Sequence, residues 1–265
     1  MGGVPFEEMK GASSLSQSAA ERARAWHHAY HEAVCDQIEP WQHGTVVRAS
    51  RYPTYYDLNV VRVEDEPAMS ASELVAFADE ALAGFEHRRL DFDRLNAAEA
   101  RRAELEALDW KATKLLWMRH ERPLPPAGPE IEVDESPYDD VAALRLAWHL
   151  EDFDGSEYER FALAAREVAM TRDVRVLTVT EPPAAPIAFA QLERVADGAE
   201  ITQVYVRPDR RGGGRGTAMT RAAIRAAGEV EDLWIVADDE GRAKELYARL
   251  GFDPAWRTMQ FLRLP

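Results

Sequence analysis

The residues best placed to do chemistry lie in one run, Arg210-Arg211-Gly212-Gly213-Gly214-Arg215-Gly216-Thr217. Four glycines in five residues let the backbone take positive φ and let a ligand approach with no Cβ in the way. Ahead of them, Ile201 to Val206 reads as a buried strand that Pro208 ends. Behind them, Thr217 to Ala227 is rich in helix formers. A strand, a glycine loop and a helix in that order predict an anion cradle. The N–H groups of the first helical turn point at one spot, and the macrodipole favours negative charge there. The chemistry is the holding of a phosphate or pyrophosphate. Backbone N–H groups of Gly212, Gly214, Arg215, Gly216 and Thr217 would donate, with the side chains of Arg210, Arg211 and Arg215 in reach. The loop does not fit Gly-x-x-x-x-Gly-Lys-Ser/Thr. It also fails Gly-x-Gly-x-x-Gly, because Gly212, Gly214 and Gly216 are spaced two apart.

Val206, Pro208, Arg211, Gly212, Gly214 and Gly216 fill the pattern Val-x-Pro-x-x-Arg-Gly-x-Gly-x-Gly. This resembles the acetyl-CoA signature of the GNAT (GCN5-related N-acetyltransferase) acyltransferases. Further on, Ala243, Leu246, Tyr247, Gly251 and Phe252 resemble the family's second signature, Asn-x-x-Ala-x-x-Leu-Tyr-x-x-x-Gly-Phe. Its Asn position is filled by Glu240, or by Asp239 in a shifted register. The resemblance is specific over residues 174–264 and weaker over 130–173. It implies acetyl-CoA as co-substrate, with the pantetheine arm laid along Val204, Tyr205 and Val206 as an added strand. It also implies the pyrophosphate on Arg211, Gly212, Gly213, Gly214, Arg215, Gly216 and Thr217, and further cofactor contacts from Glu240, Ala243 and Tyr247.

Direct acyl transfer from a thioester to an amine needs a proton acceptor for the amine, donors for the oxyanion and a proton for the departing thiolate. By resemblance Tyr247 is the acid. Many relatives carry a carboxylate on the strand entering the loop, whereas here Thr202 and Gln203 stand there. Glu200, which starts that strand, and Glu193, on the strand before it, are the candidate bases, each acting through water. His149 is a weaker choice, and the oxyanion donor is a backbone N–H near Val204.

The elements that must position these groups fall into two sets. Glu121-Arg122-Pro123-Leu124-Pro125-Pro126-Ala127-Gly128-Pro129 has four prolines in seven residues and cannot continue a helix or a central strand. The expected domains are therefore 1–121, a linker at 122–129, and 130–265. Helices are expected at Ala19–Ile38, Ala71–Ala83 with Ser70 and Glu73 as a capping box, Ala97–Leu108, Asp139–His149 and Tyr158–Thr171. Leu150–Glu157 reads as a loop and 1–18 as frayed. Strands are expected at Gly44–Ala49, Tyr55–Glu64, Phe85–Phe92, Lys114–His120, Arg175–Thr180, Pro186–Arg194, Glu200–Val206, Leu233–Ala237 and Met259–Leu264, with a turn at Glu181-Pro182-Pro183.

Leu105 to Lys111 aligns with Tyr247 to Asp253, and Leu58 to Val63 sits where Ile201 to Val206 sits. The chain thus reads as an internal repeat whose first copy has lost the loop. Glu64-Asp65-Glu66-Pro67 stands in its place and would repel a pyrophosphate. The fold class is α+β: GNAT-like domains in tandem, each a mixed, mostly antiparallel sheet flanked by helices.

Composition bounds the partners. The chain has 265 residues and a net charge of −15, which disfavours nucleic acid. Eleven acidic residues lie between Glu130 and Glu159 against one basic residue, Arg145. This suits either a solvated face or an acidic mouth for a cationic amine acceptor. His27 and His31 are four apart without a third metal ligand, so they read as a partly exposed helix face and no metal is expected. A single cysteine, Cys35, no leader pattern and no bilayer-length apolar run suit a cytoplasmic monomer or homodimer. The expected function is N-acetyl transfer from acetyl-CoA to a primary amine of a small molecule. The alternatives are acetylation of a protein N-terminus or lysine, and a non-catalytic acyl-CoA-binding regulatory module.

Overall fold

The computed structural model describes residues 17–126, 131–153, 155–181 and 185–264. The first half holds α1 (Ala19–Val34), β1 (Gln37–Trp41), β2 (Gly44–Arg48), β3 (Val60–Val63), α2 (Ala71–Ala81), β4 (Arg88–Phe92), α3 (Leu95–Glu106) and β5 (Lys111–His120). The second holds β6 (Asp134–Ser136), α4 (Ala142–Asp152), α5 (Tyr158–Ala169), β7 (Asp173–Glu181), β8 (Ala185–Val195) and β9 (Gly198–Val206). It continues with α6 (Arg215–Ala227), β10 (Asp232–Asp238), α7 (Ala243–Arg249) and β11 (Phe252–Arg263).

All eleven strands join one sheet in the order β1-β2-β3-β4-β11-β5-β10-β9-β8-β7-β6. In the first half β1, β2 and β3 pair antiparallel and β3 pairs parallel with β4. In the second half β7, β8 and β9 pair antiparallel and β9 pairs parallel with β10. The fifth strand of each set is exchanged: β11 pairs with β4, β5 pairs with β10, and the two run antiparallel to each other. Each half therefore completes its sheet with the other's last strand, and the sheet carries no break between the halves.

The repeat is visible at single residues. Leu105 and Tyr247 are buried near the ends of α3 and α7. Four residues later Asp109 and Gly251 both take positive φ, 63° and 99°. Trp110 and Phe252 then follow as buried aromatics, each in the core of its own half.

Side chains sort by alternation onto the two faces of the sheet. Leu233, Ile235 and Ala237 join the core beneath α6 and α7, while Trp234 and Val236 join the core beneath α1. The first half buries Leu74 and Ala78 of α2 and Ala98 and Leu105 of α3 against Leu90, Phe92 and Phe261. Among the described residues no helix is long and apolar enough to cross a membrane.

Several expected boundaries move. The helix expected over Ala19–Ile38 ends at Val34 because Gln37–Trp41 is drawn into a hairpin with β2. The strand expected from Tyr55 begins only at Val60, after a 3₁₀ turn at Tyr56–Leu58. Asn59 is the cause: its amide accepts from the Ala49 N–H at 2.8 Å and donates to the Tyr52 and Tyr55 carbonyls at 2.9 and 3.1 Å. The strand expected from Phe85 starts at Arg88, since the Phe85 N–H closes a turn on Leu82. The loop expected at Leu150–Glu157 starts late, because α4 runs on to Asp152. The last strand starts at Phe252 instead of Met259, and an irregularity between Pro254 and Trp256 accommodates the proline. The short strand β6 was not expected.

The capping box is formed, with the Ser70 N–H on the Glu73 carboxylate at 2.8 Å and the Glu73 N–H on the Ser70 hydroxyl at 3.3 Å. Of the proline-rich stretch, Arg122 holds Asp253 at 2.9 Å and the Pro125 carbonyl accepts from Arg221 at 2.7 Å. The frayed start, the end of the linker and the prolines of the 181–183 turn lie outside the described residues.

Candidate active site

Strand β9 parts from its neighbour halfway along. It pairs with β10 from Gly198 to Ile201, opposite Asp232 to Ile235, and no further. On its other edge β10 pairs with β5 from Trp234 to Asp238, so from Val236 on only that edge is paired. On the other edge β9 stays paired with β8 up to Val206, with Thr202 as an extra residue between Ile201 and Gln203. Such a bulge bends its strand. The sheet is thus open between β9 and β10 beside Val204, Tyr205 and Val206.

The glycine loop lies just past the end of β9. Gly212 and Gly214 take φ of 86° and 79°, values that side chains with a Cβ rarely adopt. A Cβ built on Gly212 would meet no atom within 4 Å, so the space above it is free. Gly214 caps α6 without a side-chain hydrogen bond, which leaves the N–H groups of the first turn open to a ligand. The cradle therefore fits a pyrophosphate. Its arginines are held by carboxylates: Arg211 pairs with Glu151 at 2.8 Å, and Arg210 and Arg215 share Glu181.

A cavity of about 420 Å³ opens on the face of the sheet away from α6. Both halves wall it. Glu193 and Glu200 stand directly opposite each other on β8 and β9 and both line it. Their environments differ. Glu193 is tied to Arg172 at 3.0 Å and accepts from Gln191 at 2.8 Å and from Thr202 at 3.2 Å. Among the described residues Glu200 has one side-chain hydrogen bond, from the Trp26 indole N–H at 2.7 Å. Burial, reinforced by the Glu193 charge and opposed by Trp26, pushes its carboxyl up to about 7. A carboxyl of that value takes or gives a proton near neutrality.

Tyr247 is placed elsewhere. It is buried in the core that also includes Val204, Val206 and Leu246, on the α6 side of the sheet. Burial pushes its phenol up to about 12. Glu240 is exposed and takes both oxygens to Arg102 of α3, at 2.6 and 3.2 Å, so it links the two halves. Asp239 pairs with Lys244 and Arg257. Ala243 opens α7. His149 lines the cavity, stacked between Phe153 and Phe161 at 4.8 and 5.2 Å.

Two expectations are corrected. Among the described residues of the acidic run only Asp152 lines the cavity. Others are spent on arginines: Glu135 on Arg175, Asp139 on Arg166 and Glu157 on Arg160. His27 and His31 do not form an exposed face, since both line the cavity with ring centroids 4.8 Å apart. Burial holds both well below the usual imidazole range, His31 at about 3. Trp26 was missed altogether; its partner Glu200 is remote in sequence, and no local pattern joins them.

Comparison with known proteins now bears on this geometry. Residues 173–254 match the family described as Acetyltransferase (GNAT) domain. Over 106 residues the chain is 32% identical to an uncharacterized N-acetyltransferase of Methanocaldococcus jannaschii. That match takes in 36% of this chain and 46% of the relative, so the chain spans less than half the length of the curated relative it matches. A functionally unknown conserved protein from Staphylococcus epidermidis superposes with a TM-score of 0.65 at 14% identity, over 87% of this chain and 94% of that one. A GCN5-related N-acetyltransferase from Kribbella flavida gives 0.55 at 17% identity, over 92% and 94%. At such identities the likeness is one of fold. Both signature stretches lie within the matched segment, and the sheet carries the same arrangement twice: residues 173–254 match the GNAT acetyltransferase domain, and the fold of the whole is GNAT-like.

Proposed function

We propose that the protein transfers an acetyl group from acetyl-CoA to a primary amine of a small molecule. One observation carries the reading. Beyond Ile201 the sheet is open along β9, with the uncapped glycine cradle just past the strand's end and a cavity bearing Glu200 on the face away from α6. A pantetheine arm would lie along Val204 to Val206 and pair with the free strand edge. Its pyrophosphate would rest on the loop from Arg211 to Thr217. The thioester would then enter through the gap toward Glu200.

The amine nitrogen attacks the thioester carbon. A C–N bond forms, the C–S bond breaks, and the amine proton passes to Glu200, directly or through water. A backbone N–H near Val204 receives the oxyanion. Glu193, tied to Arg172 and directly opposite on β8, acts on Glu200 in the sense that favours its protonated form. A phenol raised to about 12 holds its proton against a thiolate of pKa near 8.5. Tyr247 therefore acts as a hydrogen-bond donor to the departing sulfur. The cavity's volume suits a small acceptor better than a protein segment, since small-molecule pockets run from roughly 300 to 1,000 Å³.

Thiol release from acetyl-CoA in the presence of an amine panel tests the reading. Amine-dependent release that Glu200→Gln abolishes while acetyl-CoA still binds supports a transferase. Binding with no release for any amine would leave an acyl-CoA-binding module. Release with peptides alone would favour the protein-modifying alternative.

A further inference from the structure

Three arginines line the cavity, and they are not matched alike. Arg89 faces two carboxylates, Asp57 and Asp91. Arg172 faces Glu193 at 3.0 Å. Arg145 forms no ion pair with a carboxylate among the described residues, with Glu193 and Asp139 acting on it only at longer range. Its guanidinium bonds only to neutral amide oxygens, that of Gln191 at 2.9 Å and that of Gln203. Beneath it lie the rings of Tyr138 and Phe189, at 4.0 and 4.9 Å. Its Nε is buried without a partner among the described residues, and burial lowers its affinity for a proton.

A guanidinium taken out of water without a counter-ion is costly, and an orphaned donor adds to the cost. Gln191 sharpens the point. Its amide accepts from Arg145 and donates to Glu193, which is already matched by Arg172. The chain Arg145–Gln191–Glu193–Arg172 thus carries two positive charges and one negative. Around Arg89 the balance is reversed, with two carboxylates to one guanidinium. The second-half wall also bears Asp152 and Glu200, yet neither forms an ion pair with Arg145, so its guanidinium stays unmatched in a wall that holds carboxylates. Trp148, Phe153, Tyr158 and Phe161 also line the cavity.

We infer that the cavity takes an amine that also bears a carboxylate, an amino-acid-like zwitterion with an aromatic or bulky apolar body, and that Arg145 receives the carboxylate. The inference rests on the acetyl-transfer reading for the identity of the ligand as acceptor. The anion site itself is testable without turnover. The ammonium group is drawn toward Glu200, and the planar fork of Arg145 meets the carboxylate two-pronged. A decarboxylated amine of the same shape leaves Arg145 unmatched and is rejected, as sites with buried polar groups reject analogues lacking the partner.

The test is a calorimetric titration with 3-phenylpropionate and, separately, its uncharged amide. Wild type should bind the carboxylate at least about tenfold more tightly than the amide, the least expected of a charge-assisted pair. Arg145→Gln should erase the difference, and Arg145→Lys should keep part of it. Gln203→Glu supplies an internal carboxylate to Arg145. It should melt at a higher temperature than wild type and lose the preference, which decides the matter if Arg145→Gln does not fold. Equal binding of the two probes, binding of neither, or a preference that survives both Arg145→Gln and Gln203→Glu would overturn the inference. Acetyl-CoA is titrated into the same protein. A carboxylate preference without acetyl-CoA binding would remove the transferase reading and leave the anion site standing.

Discussion

From β3 the chain crosses to α2, and from β9 it crosses to α6; the two crossings hold equivalent places in the two halves and are built differently at three points. Strand β3 pairs with β4 to its last residue, Val63 opposite Phe92, whereas β9 leaves β10 after Ile201. The N-terminus of α2 is filled by its own side chains, since Ser70 and Glu73 satisfy each other's backbone N–H. The N-terminus of α6 follows Gly214 and has no side-chain cap. The segment before α2 is acidic, with Glu64 on Thr45 and Glu66 on Asn96, while the segment before α6 carries Arg210 and Arg211, and Arg215 opens the helix. One topology thus yields a closed, self-capped crossing and an open one. The first half contributes to the site in another way. Through α1 and β4 it supplies part of the cavity wall, and its Trp26 holds Glu200.

The largest expected effect falls on Glu200. Glu200→Gln should lower amine acetylation by about 10²- to 10⁴-fold, the range of general-base catalysis. Wild-type activity should rise with pH through a midpoint of about 7, as the carboxyl becomes ionised. The stability effect has the opposite sense. The folded state binds this proton more tightly than an ordinary carboxyl of 4.5 does. The burden on folding is therefore absent below pH 4.5, grows up to pH 7 and is full above it. Glu200→Gln should melt higher than wild type at pH 8 and no higher at pH 4.5.

Trp26→Phe removes the hydrogen bond that favours ionised Glu200 and should move the activity midpoint up by about one unit. An unmoved midpoint would deny the first half any hold on the base. Ser70→Ala tests the closed crossing. It should cost about 1 kcal/mol, as loss of an N-cap does, and create no second acetyl-CoA site, because β3 and β4 remain paired. The smallest effect belongs to Arg102→Ala. Glu240 and Arg102 meet at the surface, where ion pairs contribute little, so the melting temperature should not move. An unchanged acetyl-CoA affinity in that variant would place Glu240 outside the cofactor contacts.

What the sequence shows best is local. The glycine loop, Pro208 at the end of its strand, the Ser70–Glu73 box and the paired positions Leu105 and Tyr247 each depend on neighbours a few residues away. The repeat was legible for the same reason. The exchange of β5 and β11 was not, because either strand satisfies the pairing rules of either half and only their assembly decides which neighbour it takes. The Trp26–Glu200 bond spans 174 residues and left no trace in spacing. Arg145, alone among eleven acids, did stand out, yet counting charges left a solvated face and an acidic mouth equally open. Arginines from other elements neutralise several of those carboxylates, and none of the described ones matches Arg145.

The central claim is that one crossing of the two receives acetyl-CoA. Calorimetric titration of the chain with acetyl-CoA, read for stoichiometry, tests it most directly. One site per chain, lost in Gly214→Glu where a carboxylate and a Cβ would enter the cradle at φ 79°, is the predicted result. Two sites per chain, or one that survives Gly214→Glu, would contradict it.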